Sequence, residues 1–333
     1  MIPKRKIIPI FVPHSGCPDN CVFCNQRKIS GSLVPASAET VRRTIEKAAA
    51  YVGGEAEVAF YGGSFTAIGA ALQEQLLSAA GEYDFIKAVR VSTRPDKIDP
   101  AALSLLRRYG VTTVELGAQS MDPEVLRLSG RGHGPDDTRR AAAEVKRYGF
   151  ELILQMMTGL PGADAESDMR SALALAELRP DGVRIYPTVV IRDTPLYELW
   201  LSGAYKEHRT EDAVELCSRI VPLFEERGIP VIRLGLNPTD ELSGGEAAAG
   251  AYHPALGELV YSRIFLRRAE EQLEKLAPLS SAVIFVSASD VSKMTGQGKQ
   301  NLRKLRERFL LKDVRVESRR MSPGSIVISA VLS

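Results

Sequence analysis

Apolar and polar positions along the chain follow two alternating rhythms. Short runs rich in apolar and β-branched residues occur at 6–12 (KIIPIFV), 57–63 (EVAFYGG), 88–94 (AVRVSTR), 111–117 (VTTVELG), 151–157 (ELILQMM) and 182–187 (GVRIYP). Between them, apolar residues recur at helical spacing: Val41, Ile45, Ala48 and Val52, then Ile68, Ala71, Leu72, Leu76 and Ala80, then segments 135–149 and 164–178. Continuous apolar runs predict strands buried on both faces, and their alternation with helices predicts a parallel sheet with right-handed crossovers. An open doubly wound sheet and a partial (β/α) barrel both fit this pattern.

Beyond residue 190 the rhythm changes. Residues 210–228 read as one amphipathic helix ended by Gly228, 237–254 as a loop rich in glycine, alanine and acids, and 255–275 as a helix. The last stretch reads strand (281–287), short helix (289–295), turn (296–299), helix (300–309), strand (311–318) and strand (325–331). This divides the chain into an α/β core at 1–235, a linker or lid with a helix at 236–279, and a small α+β appendage at 280–333.

Composition narrows the class. With 333 residues, 44% hydrophobic and 25% charged, the chain has the make-up of a soluble globular protein with one large domain or two. No apolar run approaches a membrane span. The opening stretch MIPKRKIIPIFVPHSG is broken by prolines and lacks a small-residue cleavage site, so it reads as a first strand in a cytoplasmic protein. The net charge of +2 says little, but segment 293–320 concentrates ten basic against three acidic residues, a local +7. Such a segment is suited to phosphate groups.

The candidate chemistry begins in HSGCPDNCVFCNQRK (14–28), which holds three of the four cysteines at C-x3-C-x2-C spacing. Four cysteines make no disulfide framework, and so tight a cluster points to metal or redox chemistry. A structural zinc site needs four ligands, with His14 or Cys217 as the fourth. A [4Fe–4S] cluster on three cysteines leaves one iron open to a substrate or cofactor. Cys217 falls in register with Val214, Ile220, Val221 and Phe224 on the buried stripe of its helix, which reads as a core thiol. Polar and glycine residues follow the other strands: Gly62, Gly63 and Ser64; Ser92 and Arg94; Glu115 and Gln119; Gln155; Tyr186. Ligands of parallel α/β folds bind beyond the carboxyl ends of the strands, so these residues are expected around one mouth.

The cysteine loop after the first strand, with Phe23 just before its third cysteine, resembles that of the radical S-adenosylmethionine (SAM) superfamily. YGGSFTAI (61–68) stands where that superfamily has its glycine-rich SAM-amino motif, with Ser64 in place of the commoner glutamate. STRPD (92–96), VELGAQSMDPEVLRLSGRGH (114–133), QMMTGLPG (155–162) and VRIYPTVVIRDTPLYELW (183–200) resemble the radical-SAM half of the Elongator catalytic subunit family, over roughly residues 5–235. The acetyltransferase domain usual in that family has no counterpart in this sequence. The resemblance implies a partial (β/α)6 radical-SAM barrel. It implies that Cys17, Cys21 and Cys24 ligate a [4Fe–4S] cluster whose fourth iron is chelated by SAM. One electron, from reduced flavodoxin or ferredoxin, then gives methionine and a 5′-deoxyadenosyl radical. By the same resemblance Gly62, Gly63, Ser64, Ser92, Arg94, Glu115, Gln119, Gln155 and Tyr186 surround SAM, with Glu115 holding Arg94. The implied substrate is RNA, in particular tRNA; a small molecule such as a porphyrinogen is the alternative. Of the histidines, His14 is expected beside the cluster and His133 at a turn near the mouth.

A second resemblance is to a KH RNA-binding core, carried by the order β-α-α-β-β and by a tight loop at Gly296, Gly298 and Lys299. It implies that the basic segment 293–320 contacts RNA. The final glycine of the KH loop is replaced by Lys299, and the terminal helix is missing.

Overall fold

The computed structural model describes residues 5–12, 17, 21–25, 36–239, 242–276 and 279–332. His14 lies outside the described residues. One sheet carries, in this order, β1 (Lys6–Phe11), β2 (Ala56–Tyr61), β3 (Ile86–Thr93), β4 (Thr113–Gln119), β5 (Glu151–Thr158), β6 (Gly182–Pro187) and, past a short strand β7 (Val189–Ile191), β8 (Val231–Leu234). All the pairings are parallel. Neighbour order follows the sequence without reversal. A doubly wound sheet reverses direction at a switch point. This sheet winds one way and curls into a partial (β/α) barrel. The barrel has seven strands where the apolar runs suggest six. The added strand, VIRL, is short and half-buried, with Ile232 41% exposed, so it carries no buried-strand signature.

Local sequence explains the crossovers α1 (Ala38–Val52), α2 (Ala70–Ala80), α3 (Pro100–Arg108), α4 (Pro123–Leu128), α5 (Pro135–Arg147) and α6 (Ala165–Glu177). In α1, Ser37 and Thr40 cap each other's backbone N–H, Val41 and Ile45 are buried, and Gly53 ends the helix at φ +63°. Asp99, Asp122 and Asp164 cap α3, α4 and α6 by accepting otherwise orphaned N–H groups. In α2 the buried face differs from the apolar count. Ala71 is exposed and Gln73 is buried, because the Gln73 amide donates to the Ile68 carbonyl at 2.7 Å. Segment 237–254, loop-like by composition, contains β9 (Ala247–Gly250), which pairs antiparallel with β7. Backbone pairing makes that strand; its alanines and glycine give no apolar signal.

The chain forms two compact units, residues 1–209 with 223–252 and residues 210–222 with 253–333. Between them they hold α7 (Pro195–Leu201) and α8 (Thr210–Glu225). Cys217 on α8 is fully buried. The second unit has α9 (Leu256–Leu276), β10 (Leu279–Val286), α10 (Val291–Thr295), α11 (Gln300–Phe309), β11 (Asp313–Ser318) and β12 (Ile326–Leu332). β10 is central, parallel to β11 and antiparallel to β12. Phe265, Leu266, Ala269 and Leu273 of α9 share one core with Ile284, Val286, Met294, Leu305 and Val314. The loop at Gly296, Gly298 and Lys299 has all three residues at positive φ. It is anchored by buried Asn301, whose Nδ2 donates to carbonyls of Ser262, Lys293 and Met294. Among the described residues, no helix is long and apolar enough to cross a membrane.

Candidate active site

Strand register decides which side chains enter the barrel. Side chains alternate along a strand, so register-matched positions share a face. Ser92 lies opposite Glu115, Gln155 opposite Arg184, and Met157 opposite Tyr186. Glu57, Tyr61, Arg90, Glu115 and Arg184 share that inner face and form one network. Arg90 Nε donates to Glu57 at 2.6 Å and its Nη1 to Glu115 at 2.9 Å. Arg184 Nη2 reaches the same Glu115 oxygen at 2.9 Å and the Tyr61 hydroxyl at 2.6 Å, with its guanidinium 5.1 Å above the Tyr61 ring. Its Nη1 donates to the Tyr186 hydroxyl at 3.3 Å. Two carboxylates thus balance two guanidiniums away from water, which is the condition under which buried charge is tolerated. Burial, with the Glu115 charge adding to it, raises the Tyr61 hydroxyl well above the usual phenol range, so it stays protonated. Arg184 Nε is buried without a hydrogen-bond partner.

This corrects the pairing of Glu115 with Arg94. Glu115 serves Arg90 and Arg184, while Arg94 forms a bidentate pair with Asp96 at 2.8 and 3.2 Å. The cause is local. Arg94 caps a one-turn helix at Pro95–Lys97, which folds Asp96 back onto it. Burial works against the ionised Asp96, but the Arg94 hydrogen bonds and charge outweigh it and lower its pKa.

At the mouth, the turn after β2 brings Gly62, at φ +94°, Gly63 and Ser64 beside the cysteine loop. Ser64 is fully buried. Its hydroxyl bonds Thr93 at 2.9 Å and accepts from the Arg94 N–H at 3.3 Å, so the side chain ties β2 to β3. Its backbone N–H bonds the Cys17 sulfur. Gln119 ends β4 in the left-handed region at φ +66°, and its Oε1 accepts from Gln155 Nε2 at 3.4 Å. A Cβ at Gly117 would lie 2.9 Å from Gln119 Nε2, so the Gln119 amide would have to shift to admit a side chain there. Gly62, Gly63, Ser64, Arg94, Gln119 and Cys17 therefore stand at neighbouring strand ends, whereas Ser92, Glu115 and Tyr186 belong to the inner wall.

The cysteine loop is tied down on several sides. Val22 N–H donates to the Ser129 carbonyl at 3.1 Å, the Val22 carbonyl accepts from the Leu196 N–H at 2.8 Å, and Cys24 N–H donates to the Cys21 carbonyl at 3.0 Å. Phe23 and Tyr186 pack on a small core of Val125, Met157 and Leu160. The residue that sequence reasoning missed is Arg131. Its Nη1 donates to the Cys21 sulfur at 3.2 Å and its Nη2 to the Gly117 carbonyl at 2.7 Å, and its Nε is buried without a partner. The motif GRGH contains it, but no spacing rule announces a contact across 110 positions. Neighbouring His133 is buried with its Nε2 3.2 Å from the Ala118 carbonyl. Burial, then the Arg131 charge, pushes its pKa down to about 4, so it is neutral at pH 7.

These surroundings fit an anionic cluster with three thiolate ligands. Cys17, although exposed at its surface, has its thiol raised by the protein packed around it and by Cys21. Arg94, the Ser64 N–H and Arg131 oppose that rise. Two arginines and a backbone donor thus face the sulfurs. Among the described residues, no three His, Cys, Asp or Glu side chains stand close enough to hold a single metal ion. A four-iron cluster puts each cysteine on a different iron and spreads its ligands more widely.

The family model of the radical SAM superfamily matches residues 11–173, and that of the radical SAM C-terminal domain matches 180–265. The chain belongs to the radical SAM superfamily. It is a radical SAM enzyme. It is 35% identical to mouse (Mus musculus) Elongator complex protein 3 over 192 residues, 55% of this chain and 34% of that protein. It is 38% identical to the tRNA uridine(34) acetyltransferase of Methanocaldococcus jannaschii over 134 residues, 39% of this chain and 25% of that one. The chain therefore spans about a third or less of the length of these curated relatives. Among solved structures, the archaeal Elp3 of Methanocaldococcus infernus superposes with a TM-score of 0.63 at 24% identity, covering 82% of this chain and 64% of that one. Coproporphyrinogen III oxidase of Escherichia coli, itself a radical SAM enzyme, superposes with a TM-score of 0.51 at 19% identity, covering 68% and 54%. At those identities the two structures establish the fold alone.

Proposed function

We propose that this radical SAM enzyme holds a [4Fe–4S] cluster on Cys17, Cys21 and Cys24 and acts on RNA, specifically tRNA, in the cytoplasm. The observation that carries the reading is the meeting of the three-cysteine loop with the Ser64 N–H and the Arg131 guanidinium at the mouth of the barrel. When bound, the cluster and SAM supply a single-electron cleavage that leaves methionine and a 5′-deoxyadenosyl radical, which takes hydrogen from the substrate. The chain's own part is placement. Gly62 and Gly63 let the β2 turn approach a ligand closely, since neither has a Cβ. Arg94, already buried and oriented by Asp96, is suited to a carboxylate, and Gln119 to hydroxyl groups. Ser92, Glu115, Gln155 and Tyr186 wall the space below and fix the polarity of the chamber. Reduced flavodoxin or ferredoxin is the electron donor in this reading.

The tRNA substrate is supported by the likeness to the Methanocaldococcus jannaschii tRNA uridine(34) acetyltransferase and by the basic segment 293–320, whose positive-φ loop precedes the cationic helix α11. The test is anaerobic reconstitution, reduction with dithionite and incubation with SAM and total tRNA, with Cys21→Ala as control. The expected products are 5′-deoxyadenosine and an altered nucleoside on mass analysis, both lost in the control. SAM cleavage with no change in tRNA would turn the assignment to a small-molecule substrate such as a porphyrinogen. No cleavage by fully loaded protein would overturn the reaction itself.

A further inference from the structure

The contact between Arg131 and Cys21 is specific in its geometry. The guanidinium fork is held at one end by the Gly117 carbonyl at 2.7 Å, in β4, and points its other end at the Cys21 sulfur at 3.2 Å. That distance is well inside the limit for a hydrogen bond to sulfur. Gly117 is fixed in turn by the bulge at the end of β4, where the register with β5 shifts between Gly117 and Gln119. Neighbouring His133 is bonded to the next carbonyl, Ala118, and is neutral, so it adds no competing charge. Arg131, in the turn between α4 and α5, is thus a cation anchored to the end of β4 and aimed at one sulfur of the cysteine loop. Cys17 has a backbone donor in Ser64 and lies within the influence of the Arg94 and Arg131 charges.

We propose that Arg131 is a positioning residue that sets the reduction potential of the cluster through its bond to Cys21. The inference rests on the cluster assignment above. The physics is direct. Reduction adds one electron to the cluster, taking it from the 2+ to the 1+ core, and the added negative charge spreads onto the ligand sulfurs. A donor and a positive charge at one sulfur stabilise that product more than the oxidised form, and so raise the potential. The electron comes from an external one-electron reductant, which is dithionite in the assay. No bond is made or broken in the chain, and the guanidinium keeps its protons, because arginine does not titrate in proteins.

The experiment is a redox titration of the anaerobically reconstituted whole chain, before SAM is added, followed by electron paramagnetic resonance of the reduced cluster. Iron and sulfide content are measured in parallel. Wild type is compared with Arg131→Gln, which loses the charge, and Arg131→Lys, which keeps the charge but cannot span both Gly117 and Cys21. The expected result is a midpoint lowered in R131Q by at least the equivalent of a tenfold change in the reduction equilibrium, about 59 mV for one electron. R131K is expected to fall between R131Q and wild type. An unchanged midpoint in loaded R131Q overturns the proposal and leaves the cluster assignment standing. If R131Q fails to load, R131K decides, with a wild-type midpoint counting against the proposal. Wild-type protein with four-iron stoichiometry absent would instead overturn the cluster assignment, and the proposal with it.

Discussion

Asp168 provides a prediction whose size follows from the structure. It sits in α6, only 1% exposed, with Oδ2 accepting the Gly159 N–H at 2.8 Å. Burial raises its pKa; the Gly159 bond pulls it back, and the charges of Asp164 and Asp122 push it further up, to about 7 from an ordinary 3.8. A carboxyl raised in this way is protonated in the fold over a range where the unfolded chain has already ionised. The folded state then binds more protons than the unfolded one, so stability falls as pH rises from about 4 and levels off above about 7. The gap is about 3 pKa units, which at 1.36 kcal/mol each places the full cost on the order of 4 kcal/mol above pH 7. Asp168→Asn keeps an acceptor for Gly159 and abolishes the ionisation. The assay is the thermal midpoint of wild type and D168N in one buffer series from pH 4.5 to 8.5. The advantage of D168N is expected to grow steadily between pH 5 and 7 and then stay constant. A difference that does not change with pH, or a D168N protein less stable than wild type at pH 8, would refute the argument.

Other perturbations test other parts of the fold. Glu115→Gln leaves the Arg90 and Arg184 guanidiniums to Glu57 alone and is expected to cost about 3–5 kcal/mol in urea unfolding. Gly159→Ala puts a Cβ 2.2 Å from His208 Cγ at a backbone φ of +70°, and is expected to cost about 1–3 kcal/mol. Adding His208→Gly, which removes the ring and also the His208 Cβ that would lie 2.5 Å away, should recover the steric part of that loss, and a double-mutant cycle with no coupling would show the clash to be absent. Reversing Lys299, Arg303 and Arg306 to Glu should weaken tRNA binding and flatten the slope of log affinity against log salt by about 2. An unchanged slope in a binding assay between 50 and 200 mM salt would remove this segment from the interface.

Much of the fold was legible because its signal is local. Strands buried on both faces read as apolar runs, and the segments 135–149 and 164–178 form the helices Pro135–Arg147 and Ala165–Glu177. The elements from residue 279 onward follow the hydrophobic pattern closely. What stayed hidden depends on pairing. β8 and β9 are short and poor in buried apolar residues, so only their partners define them. Winding direction is likewise a property of strand order, and apolar runs do not encode it. The site divides in the same way. The cysteines, Gly62 and Gly63 stand in compact motifs. Arg131 and Arg184 lie far in sequence from what they touch, and Arg94 and Glu115 were paired wrongly because strand-end position does not say which way a long side chain turns.

The inner wall of the barrel asks for an explanation that stability does not supply. Replacing a buried quartet of charges by well-packed apolar residues is often neutral or stabilising. Glu57, Arg90, Glu115 and Arg184 therefore hold the interior polar at some cost to the fold. Their network is closed upon itself, with Glu115 taking both arginines and Tyr61 bridging one of them, so the wall carries no net charge. A wall of that kind neither attracts a bare ion strongly nor repels a neutral polar group. Within it Arg184 Nε is buried without a hydrogen-bond partner, and the Tyr186 hydroxyl beside it accepts from Arg184 Nη1. Neutral and fixed by mutual hydrogen bonds, such a wall suits a neutral polar group better than an apolar one.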